Sequence, residues 1–171
     1  RPLTFMIWGG VFERFPRLKA VIVEGGTMFM LPPWLRLLDH NYRDVQFSAK
    51  LGDFRSHLSM APSDYYRRNV AIGASCVPRA DLELRQAIGT DQIMWGSDYP
   101  HPEGTWPHTA EYFEKTFAGF PEPDGRKILG ENAVAFYGLD RDRLQTVADR
   151  IGPEPSIFSG DGPVSEPGPA Q

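Results

Sequence analysis

Apolar positions along the chain follow two alternating rhythms. From Leu3 to Phe15 they recur at Leu3, Ile7, Val11 and Phe15 with more between, which predicts one largely buried helix stopped by Pro16. Lys19-Ala20-Val21-Ile22-Val23-Glu24-Gly25-Gly26 is a short β-branched run ending in an acid and two glycines, and predicts a first strand. Trp34, Leu35, Leu37, Leu38 and Tyr42 mark a helix opened by Pro32-Pro33. Tyr65-Tyr66 are expected on a short turn before a second strand at Asn69-Val70-Ala71-Ile72-Gly73. A helix over about 80–87, closed by Ile88-Gly89, leads to a third strand from Gln92 to Gly96. Helical segments at about 106–117, 125–137 and 141–151 complete the pattern.

Strands alternating with helices imply an α/β fold with parallel strands joined by crossovers. Three such units cannot close a parallel barrel, which takes eight strands and about 250 residues. The chain is therefore either a small open sheet or the last part of a barrel. It starts on Arg1, in mid-pattern, so a piece of a longer protein is the expectation. From Gly152 on, Pro, Gly, Ser and Glu dominate, which predicts a disordered tail over 152–171 behind a folded part at 1–151.

Composition narrows the function classes. With 171 residues, 41% of them hydrophobic, the chain can build a real core, and no apolar run approaches the roughly 20 residues that span a bilayer. A net charge of −4 without a basic stripe argues against nucleic acid as the main partner. The single cysteine, Cys76, excludes an internal disulfide framework and fits a reducing, cytoplasmic setting. With no His nearby in sequence, it reads as a small core residue. The chain holds no Gly-x-Ser-x-Gly elbow, no phosphate-cradling loop and no Cys-x-x-Cys.

The candidate chemistry sits in Ile93-Met94-Trp95-Gly96-Ser97-Asp98-Tyr99-Pro100-His101-Pro102, where an apolar run ends abruptly in an acid, a proline and a histidine. A buried strand that delivers a carboxylate to the rim of an α/β sheet reads this way. Asp98 is the first candidate, as metal ligand and proton carrier or else as a cap on the following turn. His101 is placed to hydrogen-bond substrate or act as acid or base, or else is a loop histidine. Trp106, just past that loop, could line a pocket wall. Trp8, Trp34 and Trp95 read as packing residues, His40 as structural, and His57 and His108 have no motif around them.

Four segments in order carry a resemblance: Gly10-Val11-Phe12-Glu13-Arg14-Phe15-Pro16-Arg17-Leu18-Lys19, the Val23-Glu24-Gly25-Gly26 turn, Trp95-Gly96-Ser97-Asp98-Tyr99-Pro100-His101, and Ile128-Leu129-Gly130-Glu131-Asn132-Ala133. Together, over about Leu3 to Leu139, they resemble the C-terminal part of the amidohydrolase-related family of TIM-barrel, metal-dependent hydrolases and decarboxylases. The resemblance implies about three strands and their helices from the end of a (β/α)8 barrel. It implies metal-dependent hydrolysis or non-oxidative decarboxylation of a small carboxylate-bearing or cyclic substrate. It further implies a divalent ion, zinc foremost with manganese as the alternative, and Asp98 matches the family's aspartate that contacts the ion and handles a proton. Glu24 stands where decarboxylase-like members place a metal-binding His, so it is a candidate for metal, water or substrate. His101 stands where many such members have an aromatic residue.

The family's His-x-His pair and further His supply the core metal ligands, and no His-x-His occurs in this sequence. Two carboxylates and one His do not close a zinc site. By itself the chain is thus expected to bind metal weakly or not at all. The competing expectation is a non-catalytic barrel part that packs against a partner. Self-association through an apolar face on the first helix and strand belongs to that reading.

Overall fold

The three apolar runs become three strands of one parallel sheet in a computed structural model that describes residues 1–24, 28–44, 53 and 55–160. They are β1 (Ala20–Val23), β2 (Val70–Ser75) and β3 (Ile93–Gly96), in the spatial order β1-β2-β3. Ala20 pairs with Val70 and Val23 with Gly73, while Ile72 pairs with Ile93 and Ser75 with Gly96. Among the described residues β1 and β3 each pair only with β2, so each leaves an edge unpaired, as a segment of a larger closed sheet would. The expected α/β fold with three parallel strands is what forms.

The helices are α1 (Pro2–Trp8), α2 (Val11–Arg14), α3 (Leu31–Arg43), α4 (Pro62–Asn69), α5 (Arg79–Glu83), α6 (Arg85–Ile88), α7 (Thr109–Phe117), α8 (Glu122–Arg126), α9 (Asn132–Tyr137) and α10 (Arg141–Ile151). A π-helical turn, Lys127–Glu131, links α8 to α9. One face of the sheet, with Ile22, Ile72, Ala74, Ile93 and Trp95, joins Leu82, Ile88, Phe113, Phe117 and Ile128 in the core. Burying each large aliphatic or aromatic group contributes about 1.5–3 kcal/mol. By strand alternation the opposite face carries Val21, Val23, Ala71, Gly73, Ser75, Met94 and Gly96.

The structure corrects several local expectations. The single helix over 3–15 is two, because Gly10 turns left-handed (φ 66°) and the His57 ring packs against it, where a Cβ would approach to 2.7 Å. His57 Nε2 also bonds the Trp8 carbonyl at 2.8 Å. Tyr65 and Tyr66 lie on α4 rather than a short turn, both fully buried. β2 runs two residues further than predicted, to Ser75. Past Gly152, where the tail is expected to begin, Pro155–Phe158 form a 3-10 turn. Phe158 covers the hollow over Gly125, packs edge-on against Phe117 at 6.1 Å, and accepts the Gly119 N–H at 3.2 Å. Residues 161–171 lie outside the described residues.

Two buried asparagines fix where the strands begin. Asn69 Nδ2 donates to the carbonyls of Pro16 and Leu18 at 3.0 and 2.7 Å, tying the approach to β1 to the start of β2. Asn132 Nδ2 donates to the carbonyls of Thr90 and Ile93, both at 2.8 Å, and ties α9 to the start of β3. Beside Asn69, Arg68 donates to the Phe12 carbonyl at 2.6 Å and lies over the Tyr65 ring at 5.3 Å. Tyr65 Oη and Ser59 Oγ both donate to Glu13 Oε2.

Asn69→Ala and Asn132→Ala each leave two backbone carbonyls without their donor, and each is expected to cost about 2–4 kcal/mol of unfolding free energy. Urea denaturation measures it, and a loss near zero would mean that water replaces the amide freely. The bonds to Glu13, foremost that from Tyr65, hold its carboxyl below the ordinary value of 4.5. The ionised form therefore belongs to the folded state, so this stabilisation is full above the ordinary range and is lost as pH falls through it. Glu13→Gln removes the effect: wild type is expected to lose more stability than the variant between about pH 6 and pH 3. Parallel acid slopes would contradict that.

Candidate active site

All three strands end in a non-glycine residue with left-handed backbone, on the same edge of the sheet. Glu24 (φ 54°) follows β1, Cys76 (φ 49°) follows β2, and Asp98 (φ 59°) lies two residues past β3. Such backbone costs free energy at residues with a Cβ and gathers where side chains are aimed for chemistry. In a parallel α/β sheet this C-terminal edge is where active-site side chains collect.

Asp98 and His101 come together. His101 Nδ1 lies 3.5 Å from Asp98 Oδ2, with the imidazole 57% and the carboxylate 28% exposed. The Glu103 N–H reaches the same Nδ1 at 3.4 Å, and the Glu103 carboxylate lies 4.0 Å from it. The loop between is held tightly. His101 N–H donates to the Asp98 carbonyl at 2.8 Å, and Thr105 N–H returns to the Ser97 carbonyl at 3.0 Å. Gly104 passes so close that a Cβ there would meet the carbonyl oxygens of Ser97, Asp98 and His101 at 2.7, 3.0 and 3.0 Å.

Cys76 joins this loop, which corrects its reading as a core residue. Its thiol donates to the Glu103 carbonyl at 3.3 Å. Burial, then the charges of Asp98 and Glu103, push the thiol pKa up and keep it protonated. Under this corner Tyr112 Oη donates to the Val77 carbonyl at 2.5 Å, and burial pushes that hydroxyl up to about 12. Ending β2 at Gly73 in the sequence had left Cys76 away from the rim. Its signal was the unbroken run of small residues through Ser75.

Trp106 stands exposed beside Tyr99, the rings edge to face at 5.6 Å. Glu24 is exposed and lies across β2 from Asp98. Two strand spacings put about 10 Å between their backbones. The Gly25-Gly26 part of its turn lies outside the described residues. Among the described residues no three His, Cys, Asp or Glu side chains converge as a metal site would require. Asp98 and His101 have the right donor atoms for a divalent ion, yet they do not complete its shell.

Residues 1–139 match the family described as Amidohydrolase. The chain belongs to the amidohydrolase family. It is 28% identical over 135 residues to a 2-amino-3-carboxymuconate-6-semialdehyde decarboxylase of Dictyostelium discoideum, a match covering 79% of this chain and 35% of that protein. It superposes with a TM-score of 0.61 on 5-carboxyvanillate decarboxylase from Sphingomonas paucimobilis at 30% identity, covering 79% of this chain and 38% of that one. An amidohydrolase from Mycobacterium avium subsp. paratuberculosis K-10 gives the same TM-score and identity over 78% of this chain and 32% of its own. The chain thus spans about a third of the length of these relatives.

Gly104→Ala is expected to cost about 1–3 kcal/mol of stability, because three backbone oxygens must move. The same shift releases the Cys76 bond to Glu103, so a neutral thiol reagent should modify Cys76 faster in the variant. Unchanged thermal unfolding together with an unchanged labelling rate would show that the loop yields without cost.

Proposed function

We propose that this chain contributes Asp98, His101 and Glu24 to the active site of an amidohydrolase-family decarboxylase acting on a small carboxylate-bearing substrate. The observation that carries the reading is the Asp98–His101 pair, held at 3.5 Å on a braced loop at the C-terminal edge of the sheet. The two related decarboxylases support the reaction class.

Loss of carbon dioxide breaks the bond to the carboxyl carbon and leaves its electron pair on the substrate, where a proton must arrive. An imidazolium is suited to supply that proton, and the carboxylate beside it orients the ring. His101 is the donor in this reading, and Asp98 is its partner and acceptor. Glu24 and Trp106 bind and enclose substrate at the rim. The family's divalent cofactor, zinc or manganese, belongs to the reading with Asp98 as the ligand this chain offers. The same pair could serve hydrolysis, the second reading, which the equally similar amidohydrolase from Mycobacterium favours.

Turnover of 5-carboxyvanillate by the native protein, followed as released carbon dioxide, tests the proposal. Asp98→Asn is expected to lower kcat by about a hundredfold or more with thermal unfolding unchanged, and His101→Gln by about tenfold to a hundredfold. Full activity of Asp98→Asn would remove Asp98 from the mechanism. Hydrolysis of an amide or lactone without carbon dioxide release would decide for the second reading.

A further inference from the structure

Ser75 is the last residue of β2 and has found no role in the fold. Alternation puts Val70, Ile72 and Ala74 on the face that packs against the helices, so Ser75 lies on the opposite face. It pairs in register with Gly96, the last residue of β3, on the side where Asp98 follows two residues later. Its neighbour Cys76 feels the Asp98 charge. The Ser75 hydroxyl makes no hydrogen bond among the described residues, and it is only partly buried. Over Gly96 the space is open, for a Cβ built there meets nothing within 4 Å. Gly73, the one glycine of β2, differs, since its Cβ position already touches Val21, Ile22 and Val23 at 3.7 Å.

A free hydroxyl bordering open space, directly below the Asp98 loop, has the chemistry of a donor to an anionic group. The charges that act on the neighbouring Cys76 are those of the Asp98 and Glu103 carboxylates, which when ionised can only accept. A substrate carboxylate entering there needs a neutral or positive donor, and the hydroxyl is one. We propose that Ser75 is a substrate-binding residue which donates to the carboxylate of the substrate, and that Gly96 keeps the space this carboxylate occupies. This inference rests on the proposed active site, and it specifies which end of the substrate faces β2.

Calorimetric binding of isophthalate, a ring with two carboxylates that is not expected to react, tests it on the native protein. Ser75→Ala is expected to weaken binding about tenfold, because one hydrogen bond to a charged group is lost. Ser75→Thr keeps the hydroxyl and should recover most of the affinity. Gly96→Val fills the open space and should abolish binding, while thermal unfolding shows whether each variant is folded. Equal binding by wild type and Ser75→Ala, or no binding by wild type, overturns the proposal. The decarboxylase reading stands or falls separately on Asp98→Asn turnover: a Ser75-dependent affinity without turnover would leave the binding role intact and remove the reaction.

Discussion

Two asparagine amides set the register from which everything at the other end of the sheet follows. Asn69 and Asn132 each spend both N–H groups on carbonyls at the start of a strand, in a region where water is excluded. A strand slipped by one residue would turn every side chain to the other face. Held at its lower end, each strand delivers a definite residue to its upper end: Glu24, Cys76 and Asp98. The strongest family motifs are explained by this anchoring. Gly10–Lys19 supplies the carbonyls and the Glu13 acceptor, and Ile128–Ala133 supplies Asn132, so both serve the frame, while Trp95–His101 carries the loop of the proposed site.

At the upper end the same demand is met by backbone. Three left-handed residues and the passage of Gly104 against three carbonyls replace the side-chain anchors, and a weak thiol bond from Cys76 adds one tie. Aromatic packing stiffens the base of this loop. Trp95 meets Phe113 at 4.7 Å, Phe113 meets Phe117 at 6.0 Å, and Phe158 closes the row beyond. The residues after 139, outside the family match, thereby reach the same core layer as β3.

The strands were legible because their apolar runs are short, β-branched and bounded by glycine. The Asp98 loop was legible because an acid, a proline and a histidine follow such a run at once. What escaped the sequence was tertiary in origin. No local pattern says that His57, distant in the chain, packs on Gly10 and splits the first helix. Tyr65 and Tyr66 looked like a turn because Ser, Asp, Arg and Asn surround them, while their helix is held by burial and by Glu13. The order at 152–160 depends on Phe158 filling the hollow that Gly125 leaves, which composition does not reveal. Cys76 was misplaced because the strand before it was ended two residues early.

The charge at the rim sets a condition that any reaction here must meet. Glu24, Asp98 and Glu103 bring three carboxylates to the sheet edge, against one imidazole. Two like charges 4 Å apart repel by about 1 kcal/mol in water and about 4 kcal/mol near a protein surface, so a carboxylate-bearing substrate would meet a repulsion that positive charge at the rim would offset. Arg79, at the same end of β2, does not supply it, because its guanidinium is committed to Glu83 and to the carbonyls of Thr116 and Ala118. Protonated His101 offsets one charge at most. On the proposed reading, the balance left over is what a divalent cation beside Asp98 would supply. In that reading a Glu at position 24, where the resembled family carries a histidine, would strengthen the electrostatic demand for a cation and suit a harder one.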